Sequence, residues 1–433
     1  MFGRPVRHAF ANGRDPCHPI GHIRSRNAAE RVKAPRLTIL VLLASDDVTH
    51  TLSSSAGAAF AGPLPSSALA ESFRPVLLDP SSAEHAAELK RLLDSSALRE
   101  VHDSVEDQLR EFVRCLNPGE PFHPAALERA VDEARGGVLP DEYGTWAWYP
   151  WSGRLVRVLP EAEFRLVRTD RNRDKITREE QQHLLSRRIG VIGLSVGSSA
   201  ALTCAMEGVG GSFRLADFDQ LSLSNLNRLR AGVHEIGLEK TVICARRMYE
   251  LDPYLDIAVH RHGVTEESIE EFFAPDSGGE HGVDLLVEEC DTLWAKVAAR
   301  EHARRRRVPV LMDANDRGLL DVERFDLEPD RPLFHGRAGA VTAADVRAMD
   351  RTEQTRLLLQ VVDQDQLSAA MAAAIPRIGS SLSSWPQLAS GVMLGGALVT
   401  DTARRILLGR PVPSARTYVD LEALIPAALE GAR

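Results

Sequence analysis

Apolar and polar positions follow two different rhythms along the chain, and the change of rhythm divides it. Between residues 83 and 135 apolar side chains recur every three or four positions: Leu89, Leu92 and Leu93, then Val105, Leu109, Phe112, Val113 and Leu116, then Leu127, Ala130, Val131 and Ala134. That spacing keeps one face of a helix apolar and predicts helices, with Asn117-Pro118-Gly119 ending one and Pro124 opening the next. The aromatic run Tyr143-Gly144-Thr145-Trp146-Ala147-Trp148-Tyr149-Pro150-Trp151, followed by Ser152-Gly153, predicts a hairpin. Its rings would either cap a pocket or clasp the helical region to the part of the chain that follows. Beyond residue 186 short apolar runs (189–192, 213–216, 257–259, 283–287, 308–312 and 417–421) alternate with helical patterns (200–206, from 240, 266–273, 294–306 and 386–408). Strands buried on both faces read this way, so a doubly wound, mostly parallel α/β sheet is expected, preceded by a mainly helical region. Residues 340–384 read as helices with loops, a crossover or lid.

The candidate chemistry is concentrated at the ends of the first predicted strands. Gly193-Leu194-Ser195-Val196-Gly197-Ser198-Ser199 is a small, polar turn between a strand and a helix. Free amides and the positive end of the helix dipole at such a turn favour an anion, so Gly193, Ser195, Gly197 and Ser198 are expected to cradle phosphates. Asp217 and Asp219 follow the second strand, where an acid can bind a ribose diol. Two adjacent carboxylates repel unless a cation or ligand sits there. Ser224-Asn225-Leu226-Asn227-Arg228 then supplies amides and a guanidinium, Lys240 another cation, and Glu288-Glu289-Cys290-Asp291 more acids, with Lys296 a helical turn later. Acids for ribose and metal with cations for phosphates describe an ATP site. Singly, Lys240 could be a solvated lysine and Asp291 a helix N-cap; their joint spacing makes the case. Residues 313–318 end another strand at the same edge and are expected to line the side of a second substrate.

The spacing of Asp217-Phe218-Asp219 and Ser224-Asn225-Leu226-Asn227-Arg228 resembles the E1-like, or ThiF/MoeB/HesA-type, adenylyltransferases over about residues 170–427. It is most similar to a bacterial ThiF-type branch whose members are sometimes fused to a nitroreductase-like domain. The resemblance implies a Rossmann-like E1/ThiF fold and activation of a carboxylate as an acyl-adenylate, a ubiquitin-like modifier-activating type of reaction. It implies that Asp217 binds the ATP ribose, that Asn225 and Arg228 contact the triphosphate, that Lys240 neutralises phosphates, and that Asp291 holds Mg²⁺. It further implies a homodimer in which Arg173 reaches the partner's site, making Arg173, Arg228, Lys240 and Asp291 the catalytic group. The turn departs from the family's G-x-G-G-x-G, being one residue shorter with serine for the middle glycine. There are no CxxC pairs for a structural zinc, and no thiol stands where a transfer cysteine would.

Composition narrows the partners. A net charge of −9 argues against nucleic acid or an anionic membrane as the main partner, and five scattered cysteines suit a reducing cytoplasm. The expected organisation is a basic, low-complexity arm and linker over 1–72, an accessory region over 73–165, the adenylation domain over 166–427 and a tail over 428–433. The capping box Thr177-Arg178-Glu179-Glu180 opens the helix that leads into the first strand of that domain. Rival readings remain in play. Gly193-Leu194-Ser195-Val196-Gly197 also fits the nucleophile elbow of a serine hydrolase, with Asp291 and His335 in triad order. An NAD(P)-dependent oxidoreductase shares the glycine turn, and a non-catalytic nucleotide-binding scaffold could keep the fold without turnover.

Overall fold

The structure is a computed structural model that describes residues 70–275 and 282–425; the expected basic arm lies almost wholly outside the described residues, as does the tail. The accessory region contains β1 (Val76–Leu78), α1 (Ala83–Leu93), β2 (Glu100–Asp103), α2 (Val105–Leu116), α3 (Pro124–Ala134), β3 (Thr145–Tyr149), β4 (Arg154–Val158) and α4 (Glu161–Arg168). The hairpin of β3 and β4 is the expected one. It is joined by β1, antiparallel to β3, and by β2, parallel to β4, in a sheet ordered β1-β3-β4-β2. Those flanking strands left no alternation to detect, since β2 is exposed along its whole length. The region expected to be mainly helical is therefore mixed.

The aromatic run is a clasp. The Tyr149 hydroxyl donates to the Tyr249 carbonyl at 3.2 Å, and Trp151 Nε1 donates to Glu250 Oε1 at 2.9 Å. Arg246 lies over the Trp151 ring, 5.4 Å from its centroid. All three partners belong to a helix of the second sheet, so the accessory region packs into the same body as that sheet.

That sheet begins after α5 (Arg178–Leu185), which opens on the expected capping box: Glu180 N–H donates to Thr177 Oγ1 and Thr177 N–H to Glu180 Oε2. Then come β5 (Arg188–Ile192), α6 (Gly197–Glu207), β6 (Ser212–Ala216), α7 (Lys240–Leu251), β7 (Asp256–His260), α8 (Ile269–Phe273), β8 (Leu285–Glu288), α9 (Leu293–Arg306), β9 (Val310–Ala314) and β10 (Leu319–Glu323). The chain closes with α10 (Ala343–Ala348), α11 (Arg351–Val362), α12 (Ala369–Ala374), α13 (Ala389–Leu407), β11 (Ala415–Tyr418) and α14 (Leu421–Leu424). Strand order is β11-β10-β9-β8-β5-β6-β7. β7, β6, β5, β8 and β9 are parallel, while β10 and β11 are added antiparallel.

Alternate residues of each central strand face opposite helical layers. Ile189, Val191, Phe213, Leu215, Leu285 and Val287 pack against α6, α7 and α13. Ile192, Ala216, Leu286 and Val310 pack against α8–α11. The chain leaves β5 toward β6 and β7, then returns to the other side of β5 for β8 and β9, so the order reverses between β5 and β8. At such a switch point the loops diverge and leave a crevice at the carboxyl ends of the strands. Among the described residues no helix is long and apolar enough to cross a membrane.

The small residues expected to admit a close helix neighbour do so at Gly396. A Cβ there would lie 2.4 Å from Ser199 Oγ and 2.9 Å from the Ser199 carbonyl carbon, on α6. Close-packed interiors do not absorb added volume freely. Gly396→Val should lower unfolding stability by about 1–3 kcal/mol, read as a lower urea midpoint at unchanged slope; an unmoved midpoint would mean α6 and α13 are not in this contact.

Candidate active site

The crevice is built on one close approach. Gly193 follows β5 with φ +88°, and a Cβ there would stand 2.6 Å from the Glu289 carbonyl group and from Cys290 N. Only glycine allows that backbone shape and that distance. Glu289 N–H donates to Ile192 O at 2.7 Å and Gly193 N–H to Ala216 O at 2.8 Å, fixing the turn against both neighbouring strands. Beyond it α6 starts at Gly197 with no side-chain cap; the Ser199 amide bonds Val196 O at 2.9 Å, and among the described residues no side chain takes up the amides before it.

Two clefts meet there. The first, about 120 Å³, runs between the ends of β5, β6 and β8 past Gly193, Ser195, Asp217, Asp219, Lys240 and Asp291. The second, about 170 Å³, lies beside it past Asp313, Asn315, Met371, Trp385 and Tyr418. They share Glu289, Cys290 and Asp291.

In the first cleft the two neighbouring acids are held apart by different partners. Asp217 accepts Leu194 N–H on Oδ2 at 2.6 Å and Asp219 N–H on Oδ1 at 2.8 Å, tying the glycine turn to the end of β6. Burial pushes its carboxyl up, while the Lys240 charge and these two amides pull it down. Asp219 pairs with Lys240 Nζ at 2.6 Å, and the same ammonium donates to Ser195 Oγ at 3.2 Å. The repulsion foreseen from sequence is thus relieved by Lys240, and Asp217 has a structural task that the sequence did not reveal.

Other expected residues are distributed less evenly. Asn225 spends its Oδ1 on the backbone and hydroxyl of Ser222, at 3.0 Å each. Arg228 donates to Asn227 Oδ1 at 2.9 Å; burial pushes its guanidinium down, and the charge of Asp291 opposes that shift. Asp291 is exposed, and among the described residues no hydrogen bond or ion pair holds its carboxylate. It is not spent as an N-cap, because α9 starts at Leu293 after Thr292. Arg173 lies elsewhere, bonded to Asp170 at 3.4 Å in a groove beside Arg178 and Gln181. Asn172 there donates to Glu207 O at the last turn of α6, which places Arg173 at the amino edge of the sheet, opposite the clefts.

The hydrolase arrangement is not assembled. Ser195 bonds Lys240, whereas His335 bonds Asp321 Oδ1 at 2.7 Å and Arg331 at 2.9 Å.

Behind the junction stands a buried set of charges that the sequence alone did not separate. Burial pushes the Glu288 carboxyl up, but Lys296 at 3.1 Å, Arg300 and the Cys290 thiol at 2.9 Å overcome it and hold it at about 2. Its neighbour Glu289 is raised well above the carboxylate range by burial and by Asp313. Asp313 is raised to about 7 by burial, against the pull of Glu289 and Lys296. Two carboxyls in contact do not readily both ionise, so the proton retained near neutral pH belongs to the pair. Glu289 Oε1 also accepts Asp313 N–H at 2.7 Å.

The donor set for a metal is small. Among the described residues no group of three or more His, Cys, Asp or Glu side chains could hold an ion by itself. Glu288 is consumed by its cations and Glu289 Oε1 by the Asp313 amide, while among the described residues no hydrogen bond or ion pair holds the exposed Asp291 carboxylate at the junction. One carboxylate beside a phosphate cradle suits Mg²⁺, which keeps waters and takes phosphate oxygens.

A family model described as "ThiF family" matches residues 169–421, more than half of the chain and nearly all of the second sheet with its covering helices. The chain belongs to the ThiF family. This ThiF-family chain is 46% identical over 301 residues to the uncharacterized protein MT1398 of Mycobacterium tuberculosis (strain CDC 1551 / Oshkosh), an overlap of 70% of this chain and 41% of that protein. The chain thus spans less than half the length of that relative. It is 24% identical over 255 residues to the tRNA threonylcarbamoyladenosine dehydratase of Bacillus subtilis (strain 168), covering 55% of this chain and 96% of the dehydratase. Among solved structures, E. coli MccB with ATP aligns at a TM-score of 0.40 and 11% identity, over 73% of this ThiF chain and 86% of MccB.

The buried charges set an acid limit. Glu288 ordinarily ionises near 4.5 and here near 2, so its contribution to stability is present above about pH 4.5 and is lost as pH falls toward 2. Glu288→Gln, which strands Lys296 and Arg300, should cost about 3–5 kcal/mol at neutral pH and reduce the acid loss in that window. Urea unfolding at pH 7, 4 and 2.5 checks both; an acid profile identical to the parent protein would remove Glu288 from the account.

Proposed function

We propose that this protein is an ATP-dependent adenylyltransferase that activates a carboxylate as an acyl-adenylate and releases pyrophosphate. The observation carrying this reading is the meeting of two clefts at Asp291, one with a phosphate cradle and cations, the other with apolar walls. ATP in the first cleft would set its phosphates against the turn at residues 193–198, with Asp219 and Asp217 toward the ribose. Asp217 would meet the ribose with lone pairs left over from its two amide bonds.

A carboxylate entering from the second cleft attacks the α-phosphorus. The new bond joins carboxylate oxygen to phosphorus, the bond from that phosphorus to the bridging β-oxygen breaks, and its electron pair leaves with pyrophosphate. No proton need be removed, because the nucleophile is already ionised near neutral pH. The chain's work is therefore positioning and charge neutralisation. Lys240 and Arg228 would meet the phosphate charge, and Asp291 would hold Mg²⁺, which would supply further neutralisation of that charge. Lys240 would exchange part of its Asp219 pairing for phosphate.

Arg173 enters the proposal through a second copy of the chain. A guanidinium at the amino edge cannot serve the carboxyl-edge clefts of its own protomer, and a homodimer would let it serve the partner's. The site also lacks an assembled Ser–His pair, which counts against hydrolysis by Ser195.

Asp291→Ala and Arg228→Ala should each lower ATP–pyrophosphate exchange by at least about 100-fold with the far-UV circular dichroism unchanged; exchange surviving both removes the assignment. Mixing Arg173→Ala with Asp291→Ala subunits should restore up to about a quarter of the parent rate by random pairing if Arg173 acts across the dimer. No restoration means that it does not.

A further inference from the structure

The second cleft carries a feature that a general carboxylate site does not need. Asp313, at the end of β9, is 6% exposed and lines this cleft, yet among the described residues neither of its carboxylate oxygens has a hydrogen-bond partner. A buried carboxylate that receives no hydrogen bond is costly, and a cationic N–H donor on a ligand is a direct way to satisfy it. The side chain is also held in place. A Cβ at Gly395 of α13 would lie 2.0 Å from Asp313 Oδ2, so the helix backbone is pressed on the carboxylate from one side and Glu289 stands on the other.

The rest of the cleft specifies the remainder of the ligand. Asn315 Oδ1 and Gln387 Oε1 are further buried acceptors without partners, so this end of the cleft asks for N–H donors. Its cover is apolar: Leu358 and Val361 on α11, Leu367 and Met371 around α12, and Trp385 ahead of α13. At about 170 Å³ the space exceeds the roughly 150 Å³ cavity that accepts benzene in another protein. One branched aliphatic or aromatic side chain fits it.

We propose that the second cleft selects an α-amino acid with an apolar side chain, Asp313 pairing with its ammonium group while its carboxylate points to the junction at Asp291. The amine belongs next to the carboxylate because Asp313 is bonded to Glu289, two residues from Asp291 in the shared wall of the clefts. Asp313 is a positioning residue: it makes and breaks no bond with phosphorus. This assignment rests on the adenylation reading for the reaction, but the recognition can be measured without it.

The test uses matched acids: leucine against 4-methylpentanoate, phenylalanine against 3-phenylpropanoate, and N-acetylleucine as a form with an amide in place of the ammonium. Calorimetric binding to the full chain with a non-hydrolysable ATP analogue and Mg²⁺ reads the cleft, and pyrophosphate exchange reads the reaction. At least one free amino acid should bind ten-fold or more tightly than its deaminated partner and than its acetylated form. Asp313→Asn, equal in size, should erase that preference by weakening the amino acid alone, so that its KM rises while the KM of the deaminated acid stays. The inference is overturned if no amino acid is preferred, if N-acetylleucine equals leucine, or if Asp313→Asn keeps the preference. Preferential binding without exchange for any acid would uphold the cleft assignment and overturn adenylation, so the two failures are distinct.

Discussion

The turn after β5 touches the end of β8 so closely that a hydrogen atom is all Gly193 can carry there. That contact sets the geometry of both clefts. It brings the uncapped start of α6 beside the Cys290–Asp291 step, and it makes the last residues of β8 a wall between two spaces. A larger residue would push the strand ends apart and separate the phosphate cradle from Asp291. The antiparallel additions β10 and β11 and the helices α11–α13 then close the second space on its far side, so one site of the ThiF domain uses nearly every element after residue 186.

Two successive glutamates at that wall have opposite electrostatic fates. Glu288 faces Lys296 and Arg300 and remains ionised though fully buried, with Arg300 continuing to Glu323 of β10. Glu289 lies beside Asp313, and burial together with that neighbour pushes its carboxyl well up. Alternation along the strand is the cause: one residue further turns the side chain to the other face of the sheet, from a layer supplied with cations to one supplied with an acid. The ionic side anchors α9 beneath the junction, and the other side places two acids, with raised carboxyls, at the wall of the second cleft.

The fold was largely legible because its signals are strong ones. The apolar runs at 189–192 and, around Arg214, at 213–216, the glycine turn, and the capping box at Thr177 each point to one local structure, and each is present. The strands β1, β2 and β10 were not visible: β1 is only three residues long, β2 is exposed throughout, and β10 carries buried Asp321 and Glu323 whose pairing with Arg416 and Arg300 depends on distant parts of the chain. At the site, residue types were legible and their employment was not. Asp217 looked like a ligand group, yet both its oxygens hold backbone amides. Asp291 could have been a cap, and it is free. The partnering of Asp313 with Glu289 and Gly395 joins three elements far apart in sequence, which no spacing rule reports.

The central claim is that the strand ends around Gly193 form a seat for ATP that opens onto a second substrate's space. A crystal structure of the protein grown with ATP and Mg²⁺ tests it most directly. The account predicts the ribose beside Asp217 and Asp219, the phosphates on the amides of residues 193–198 near Lys240 and Arg228, and the α-phosphate facing the second cleft past Asp291. Nucleotide bound elsewhere, or a cleft kept shut by its own Lys240–Asp219 pair at saturating ATP, would contradict it.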